Sequence, residues 1–309
     1  MIEVRDLHKR FGAVEAVRGV SFRVERGEIV GFLGPNGAGK TTTMRVLTGV
    51  FPPTSGEVRI AGRDVMRDSL ACRRAIGYFP EFAPHYPELS VVGYLRFVAR
   101  LKRIERARQG AAVDAVVETC GLAAVARRRV GTLSKGFRQR LGLAQALCGD
   151  PPVLILDEPT VGLDPGQVVE IRALIHALRG DRTVLFSSHV LSEVEAVCAR
   201  VIVIARGRVV GEGTPADLGS RLGRRQRVVV RLDAAPVEVA AALAEVAGVL
   251  EVTAVAGAWH LDAPADEDVT GRVADLAQRR GWRLRELREE VLALEEIFLE
   301  LVRDDRPPS

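Results

Sequence analysis

The segment Gly34–Thr41, which reads Gly-Pro-Asn-Gly-Ala-Gly-Lys-Thr, constrains the fold more than any other part of the sequence. It fits the pattern GxxxxGK(S/T), follows an apolar run at Ile29–Leu33 and precedes a run with helical spacing at Thr42–Leu47. Glycines let backbone N–H groups close around phosphate oxygens, and a helix N-terminus adds positive potential. The sequence therefore predicts a buried strand, a phosphate-binding loop and a helix in succession.

Two side chains of this loop carry specific chemistry. Lys40 is placed to reach the β- and γ-phosphates of a nucleotide, and the hydroxyl of Thr41 is placed to bind Mg²⁺. The predicted nucleotide-binding positions of the loop are Gly34, Pro35, Asn36, Gly37, Ala38, Gly39, Lys40, Thr41 and Thr42.

Two adjacent carboxylates follow a second apolar run. Val153–Leu156 predicts a strand, and Asp157 and Glu158 lie at its carboxyl end, where ligands bind in open α/β sheets. Side chains alternate along a strand, so the two carboxylates can do different work. We expect Asp157 to hold the Mg²⁺ shell and Glu158 to act as general base toward water. A solvated acidic strand end is the competing interpretation, which the neighbouring phosphate loop disfavours.

Composition limits the class of protein. The chain has 309 residues, 47% of them hydrophobic, a size between one large domain and two. No apolar run of about 18 residues and no signal peptide is present, so we expect a soluble cytoplasmic chain. The net charge of +4 is unevenly divided, because residues 219–309 carry 13 Arg against 17 acidic residues and leave +8 for the first 218. A mildly basic first segment suits an anionic ligand such as a nucleotide without requiring nucleic acid. The four cysteines have no metal-site spacing, which indicates reduced thiols in a core: Cys72, Cys120, Cys148 and Cys198.

The first part of the chain has α/β patterning with a buried, largely parallel sheet. The segment Ser90–Gly121 is Ala-rich and charged with helical spacing, and it predicts a helical insert. The predicted strands are Ile2–Val4, Val20–Val24, Ile29–Leu33, Val153–Leu156, Thr183–Ser187 and Val201–Ile204, and the later predicted helices are Gln167–Leu178 and Ser192–Cys198.

A second domain is predicted after a Gly-, Pro- and Arg-rich linker at Gly211–Arg225. The order βαββαβ that follows is that of a ferredoxin-like α+β domain. Its predicted elements are Gln226–Leu232, Pro236–Val246, Val249–Val255, Trp259–Leu261, Glu267–Arg280 and Trp282–Leu287, with a last helix at Leu292–Val302 and a disordered tail at Asp304–Ser309.

The segment Leu133–Arg140, Leu-Ser-Lys-Gly-Phe-Arg-Gln-Arg, lies between the two motifs and resembles the LSGGQ signature of ATP-binding cassette (ABC) ATPases. Ser134 suits an N-cap whose free N–H groups face an anion. The resemblance implies that Ser134 and Gly136 complete the ATP site of an opposite subunit, so that two cassettes sandwich two nucleotides.

Further elements match the family in order: Phe11 where an aromatic ring stacks on adenine, Glu81 in the Gln loop, Gly162–Asp164 as the D-loop and His189 as the switch histidine. The resemblance covers residues 1 to about 218 and leaves residues 219–309 as an accessory domain. It implies a P-loop NTPase domain of ABC type with a helical subdomain at about 82–150, and ATP and Mg²⁺ as cofactors. Lys40, Glu158 and His189 are the implied catalytic residues, Asp164 works across the dimer interface, and Thr41, Asp157 and Glu81 are the implied metal-binding residues.

Three positions depart from the family pattern. Lys135 and Phe137 change the signature, and Glu81 places a carboxylate where an amide is usual. A carboxylate accepts hydrogen bonds from water but donates none, and it adds negative charge beside a triphosphate. The coupling known for Gln-type members is therefore not transferred to this chain.

The segment Ser134–Arg140, the YFPE sequence at Tyr78–Glu81 and the stretch Leu294–Leu301 resemble ATPase subunits of the ABC-2 export subfamily. This resemblance implies export driven by ATP hydrolysis, a separate transmembrane permease, a second ABC subunit in a homodimer, and a location at the cytoplasmic face of the membrane. One alternative is a soluble ABC ATPase acting on nucleic acid or ribosomes, although long coiled-coil insertions and a second cassette are lacking. Another alternative makes the C-terminal domain a regulatory module for a small ligand.

Overall fold

The computed structural model of the protein describes residues 1–81, 86–214, 217–218, 225–233, 236–264, 267–290 and 298. The chain divides into two compact units, Met1–Glu212 and Gly213–Ser309. The sequence placed this boundary six residues later, between 218 and 219.

The first unit contains two sheets and the helices that connect their strands. Its strands are β1 (Ile2–Phe11), β2 (Val14–Val24), β3 (Ile29–Leu33), β4 (Ser55–Ile60), β5 (Arg63–Asp64), β6 (Ile76–Phe79), β7 (Val153–Asp157), β8 (Thr183–Ser188), β9 (Arg200–Ala205) and β10 (Arg208–Gly213). Its helices are α1 (Lys40–Leu47), α2 (Ser69–Ala75), α3 (Val91–Leu101), α4 (Gln109–Thr119), α5 (Lys135–Leu147), α6 (Pro165–His176) and α7 (Leu191–Val197).

The six-stranded sheet positions the predicted site. Its order is β10-β9-β3-β8-β7-β6, and β3 pairs in parallel with both β8 and β9. Strands β3, β7 and β8 are buried along their whole length, as expected for parallel strands covered on both faces. Because β8 lies between β3 and β7, the carboxyl ends of all three strands meet at one edge. This arrangement confirms the predicted parallel α/β sheet.

The smaller sheet is antiparallel, with the order β2-β1-β4-β5. The predicted strands Ile2–Val4 and Val20–Val24 are the paired ends of β1 and β2, which both continue toward Phe11 and Val14. The alternation of apolar residues breaks where the register shifts between Val4 and Leu7, and Asp6 there has φ +46°. Because this bulge breaks the alternation, the sequence pattern predicted only one end of each strand.

Helices α3, α4 and α5 pack against one another. Helices α3 and α4 lie within the predicted helical insert Ser90–Gly121, and α5 follows it. Ser90 caps α3, because its hydroxyl accepts a hydrogen bond of 3.1 Å from the N–H of Gly93. Residues 82–85, at the start of the predicted helical subdomain, lie outside the described residues. The four cysteines are buried free thiols, as predicted. Over the described ranges, the structure contains no helix both long enough and apolar enough to cross a bilayer.

The second unit has the predicted βαββαβ order. The elements are β11 (Arg225–Asp233), α8 (Pro236–Ala244), β12 (Glu251–Val255), β13 (Ala258–Pro264), α9 (Val269–Arg280) and β14 (Arg283–Glu290). The strands form an antiparallel sheet of order β12-β13-β11-β14, which is the ferredoxin-like arrangement. An apolar core that includes Val228, Leu243 and Val273 lies between the sheet and its helices. The helix predicted at Leu292–Val302 and the predicted tail lie outside the described residues, apart from the isolated Phe298.

Candidate nucleotide-binding and catalytic site

The loop between β3 and α1 has a backbone that requires glycine. Gly37 and Gly39 have φ angles of +78° and +104°, which side-chain-bearing residues rarely adopt. A Cβ atom on Gly39 would lie 2.7 Å from the carbonyl oxygen of Ala16, and one on Gly34 would lie 2.3 Å from that of Ile204. The glycines therefore set both the turn and its close approach to neighbouring backbone, which leaves the loop N–H groups to surround an anion.

Lys40 is folded back over this loop. Its Nζ atom donates hydrogen bonds of 2.7 Å to the carbonyl oxygen of Gly34 and 3.3 Å to that of Pro35. The same atom lies 3.5 Å from Oε1 of Glu158, and the Lys40 side chain is only 5% exposed. The ammonium group thus lies in a largely buried place, held by two neutral carbonyls and one carboxylate.

Asp157, the last residue of β7, is fully buried beneath the loop. Its Oδ1 atom accepts hydrogen bonds from the hydroxyls of Ser187 (2.7 Å) and Thr41 (3.4 Å). Burial raises the pKa of Asp157, and the hydrogen bonds from Ser187 and Thr41 oppose that rise. Its Oδ2 atom is buried and has no hydrogen-bond partner within the described part of the chain.

An unpartnered carboxylate oxygen beside a threonine hydroxyl fits a magnesium site. Mg²⁺ prefers oxygen ligands and in nucleotide sites uses one or two protein groups, with phosphate oxygens and water completing the shell. Oδ2 of Asp157 and the hydroxyl of Thr41 supply such groups at the base of the loop. Glu81 lines the same cleft and is half-buried.

Glu158 and His189 form a hydrogen-bonded pair. The Nδ1 atom of His189 lies 2.7 Å from Oε2 of Glu158, while Lys40 lies near the other carboxylate oxygen. Glu158 has φ +51°, a left-handed conformation that costs energy in a residue other than glycine. Its N–H donates a 3.0 Å hydrogen bond to the hydroxyl of Ser187, which fixes the turn after β7. The carboxylate is therefore aimed into the cleft between a cation and an imidazole.

Most of these groups line one cleft of about 400 Å³ at the carboxyl edge of the parallel sheet, whereas Gly34 and the fully buried Asp157 do not line it. The cleft brings together the loop positions from Pro35 to Thr42 with Glu81, Glu158 and His189. Ala16 and Val161 in the wall of the cleft and Ser187 beneath it were not predicted from the sequence. Ser187 was detectable in principle, because it ends a predicted strand two residues before His189.

Phe11 ends β1 and is 44% exposed. Its ring packs edge-on against Phe51, with centroids 5.4 Å apart, and the ammonium of Lys9 lies 4.9 Å from the Phe11 centroid. Lys9 is itself fixed by a 2.8 Å hydrogen bond to the carbonyl oxygen of Pro52. Phe11 is thus an exposed ring fixed by its contacts with Phe51 and Lys9. It does not line the cleft formed by the described residues.

Ser134, Gly136 and Asp164 form a separate group, which we call the capping patch. Ser134 caps α5 through a 3.4 Å bond from the N–H of Phe137, and Asp164 caps α6 through a 3.0 Å bond from the N–H of Gln167. Gly136 is buried, and a Cβ atom there would lie 2.7 Å from the side chain of Gln167. Within the described structure the capping patch does not line the cleft.

The chain is similar to known proteins in both sequence and fold. The sequence profile of the ABC transporter family matches residues 17–161. A daunorubicin resistance ATP-binding protein of Streptomyces coeruleorubidus is 36% identical over 308 residues, which cover 99% of this chain and 96% of that protein. A bacitracin transport ATP-binding protein of Bacillus licheniformis is 41% identical over 214 residues, 69% of each chain.

A solved structure of the ATP-binding subunit of an ABC transporter is also similar. It superposes with a TM-score of 0.66 at 29% identity, and the match covers 72% of this chain and 93% of the other. The alternative of an ATPase acting on nucleic acid or ribosomes gains no support from these relatives.

Proposed function

Because the chain belongs to the ABC transporter family, as an ATP-binding subunit that hydrolyses ATP, we propose that it drives export of a substrate through a separate membrane-spanning permease. The observation that supports export is the match to a daunorubicin resistance protein over 99% of this chain. That match includes the ferredoxin-like unit, which lies beyond the residues that the family profile covers. A second relative is named for bacitracin transport.

We assign binding of the triphosphate to the loop and Lys40. Phosphate oxygens compete for the ammonium that now contacts the carbonyls of Gly34 and Pro35, and a charged acceptor binds an ammonium more strongly than a neutral one. The N–H groups of the loop and the N-terminus of α1 add to this binding. The exposed ring of Phe11 is the proposed platform for adenine.

Asp157 and Thr41 are the proposed holders of Mg²⁺. When bound, this ion neutralises charge on the β- and γ-phosphate oxygens. The protein supplies the unpartnered Oδ2 of Asp157 and holds that carboxylate still through Ser187. Glu81, at the wall of the cleft, is a further proposed acceptor for water or the ion.

Glu158 is the proposed general base. A carboxylate in this place can accept a proton from a water molecule that attacks the γ-phosphate. His189 holds Oε2 through its Nδ1 atom, and the left-handed backbone of Glu158 fixes the direction of the side chain. The histidine therefore orients the base, and we propose that it also contacts the γ-phosphate.

The separation of the cleft from the capping patch supports a two-chain site. Two copies facing each other would bring Ser134 and Gly136 of one copy to the nucleotide of its partner. ATP would then join the copies, and hydrolysis would let them part, because the nucleotide binds the closed pair more strongly than the open one. We propose that a permease holds the homodimer at the cytoplasmic face of the membrane and receives this motion near Glu81.

Co-purification from membranes of the source cell tests the export function. We expect the tagged full-length chain to recover a polytopic membrane protein that stimulates its ATP hydrolysis. A chain carrying Lys40→Ala should recover the same protein without stimulated hydrolysis, which separates docking from catalysis. An ATPase stimulated by nucleic acid or ribosomes, with no membrane protein recovered, would contradict export while leaving the nucleotide site intact.

A further inference from the structure

A buried carboxylate on α7 has no role in the chemistry described above. Glu193 is 6% exposed, and its Oε2 atom accepts two hydrogen bonds from hydroxyls. Thr160 donates one at 2.5 Å and Ser188 donates the other at 3.0 Å. Thr160 and Ser188 are themselves 4% and 1% exposed, so the whole cluster is shielded from water. Bonds of this kind, to a charged acceptor in a shielded place, are among the stronger hydrogen bonds in proteins.

The two donors belong to the two segments that carry the catalytic pair. Thr160 follows Glu158 by two residues, and Ser188 directly precedes His189. The hydroxyl of Ser188 also accepts a 3.0 Å bond from the N–H of Val190, so it holds the backbone on both sides of His189. One oxygen atom therefore connects the turn after β7 to the end of β8.

This connection lies beside Glu158, whose backbone conformation is strained. Glu158 holds a left-handed conformation, and strained backbone persists only where surrounding contacts determine it. The turn after Glu158 is closed by a 3.2 Å bond from the N–H of Val161 to the Glu158 carbonyl and leads toward Asp164. Glu193 fixes the middle of this turn from behind through Thr160.

We propose that Glu193 is a positioning residue for ATP hydrolysis. It keeps Glu158 and His189 at their 2.7 Å separation by tying Thr160 to Ser188, and it touches neither nucleotide nor water in the reaction. The proposal rests on the roles proposed above for Glu158 and His189. It predicts that Glu193 affects the rate of hydrolysis and leaves nucleotide binding unchanged.

Substitution of Glu193 in the full-length chain measures this effect. Glu193→Ala should lower kcat by about 10- to 100-fold, the loss expected when catalytic groups shift by a fraction of an ångström to one ångström. The Kd for ATP should stay within about twofold, because the loop and Lys40 do not contact Glu193. Glu193→Gln keeps an acceptor oxygen in place and should restore most of the rate. Glu195→Ala removes an exposed carboxylate from the same helix and should leave kcat unchanged.

The His189→Ala background separates positioning from general destabilisation. If Glu193 acts through the Glu158–His189 pair, Glu193→Ala should slow the His189→Ala chain far less than it slows the unaltered chain. Equal loss in both backgrounds, or no loss in the unaltered one, would overturn the proposal. If His189→Ala itself hydrolyses ATP at the unaltered rate, the proposed role of His189 fails, and the role of Glu193 fails with it.

Ser188→Ala provides the same test if Glu193→Ala does not fold. This smaller change removes one of the two hydroxyl donors and keeps the carboxylate bonded to Thr160. We expect a several-fold lower kcat with unchanged ATP affinity and little further effect in the His189→Ala background. An unchanged kcat in the folded Ser188→Ala chain would overturn the proposed link between α7 and His189.

Discussion

The Nζ atom of Lys40 lies 3.5 Å from Oε1 of Glu158, and both side chains are nearly buried. Lys40 begins α1 after β3, whereas Glu158 follows β7, and β8 lies between the two strands in the sheet. The sheet order therefore places the cation proposed to bind phosphate beside the carboxylate proposed to activate water. A nucleotide that draws Lys40 toward its phosphates also changes the contact between the Lys40 ammonium and Oε1 of Glu158.

Replacement of Lys40 by Ala should weaken ATP binding. A hydrogen bond to a charged partner contributes roughly 1.5–3 kcal/mol, so we expect a Kd about 10- to 100-fold higher by calorimetric titration. Arg26→Ala, at an exposed position after β2, is the matched loss of a positive charge and should leave the Kd unchanged. Full ATP affinity in the Lys40→Ala chain would remove the phosphate-loop assignment.

Replacement of Asp157 by Asn should stabilise the nucleotide-free chain. Burial raises the pKa of Asp157, so folding favours its protonated form, and the ionised form lowers stability at neutral pH. The gain in Tm for Asp157→Asn should be present at pH 7–8 and shrink as the pH falls toward the ordinary Asp value of about 3.9. Asp114→Asn, on the exposed side of α4, should show no such gain.

Magnesium and ATP together should reverse the order of the two Tm values, so that the unaltered chain becomes more stable than the Asp157→Asn chain. Ligand binding raises the Tm of the chain that binds it, so the unaltered chain should gain more from Mg²⁺ with ATP than Asp157→Asn does. Removal of Mg²⁺ with EDTA should abolish this difference. Equal stabilisation of both chains by Mg²⁺ and ATP would contradict the proposed metal-binding role of Asp157.

Replacement of Glu81 by Gln should have two opposite effects. The loss of a negative charge near the triphosphate should tighten binding of ATP without Mg²⁺, because like charges repel across a half-buried cleft. The same loss should raise the Mg²⁺ concentration needed for half-maximal hydrolysis, since a carboxylate binds Mg²⁺ better than an amide does. Titrations of ATP and of Mg²⁺ measure the two effects, with the exposed Glu88→Gln as control. A Glu81→Gln chain unchanged in both would place Glu81 outside the nucleotide site.

Replacement of Phe11 by Ala should weaken ATP binding through the base alone. Stacking of a base on an aromatic ring contributes about 1–3 kcal/mol, so the Kd for ATP should rise about 5- to 100-fold. Binding of inorganic triphosphate, measured by competition, should stay unchanged. Val14→Ala removes a comparably exposed apolar side chain nearby and should leave both affinities intact. Equal losses for ATP and triphosphate would argue against an adenine platform at Phe11.

The sequence predicted the parts of the site that depend on local order. The phosphate loop and the pair Asp157–Glu158 each follow an apolar strand, and strand ends define the ligand edge of an α/β sheet. A local pattern also predicted the cap at Ser134, because N-cap chemistry depends on the next three residues. The βαββαβ order of the second unit was also predicted, because it depends on local patterns.

Long-range contacts were not readable from the sequence. Glu193 accepts hydrogen bonds from Thr160, 33 positions before it, and from Ser188, 5 positions before it. No rule of sequence spacing identifies a glutamate as the acceptor for these two hydroxyls. The left-handed backbone of Glu158 depends likewise on support from Ser187 across the sheet. The bulge near Asp6 broke the alternation that would have revealed the full lengths of β1 and β2.

ATP-dependent association of the Glu158→Gln chain tests the two-chain site most directly. Gln cannot accept the proton from water, so this chain should bind ATP, lose at least about 100-fold in kcat and accumulate as a dimer with ATP in sedimentation experiments. The double variant Ser134→Arg/Glu158→Gln should bind ATP and stay monomeric, because the bulky side chain blocks the capping patch. Glu118→Gln, at an exposed site on α4, should hydrolyse ATP normally. A Glu158→Gln chain that binds ATP and stays monomeric, or that hydrolyses it at the unaltered rate, would contradict this account.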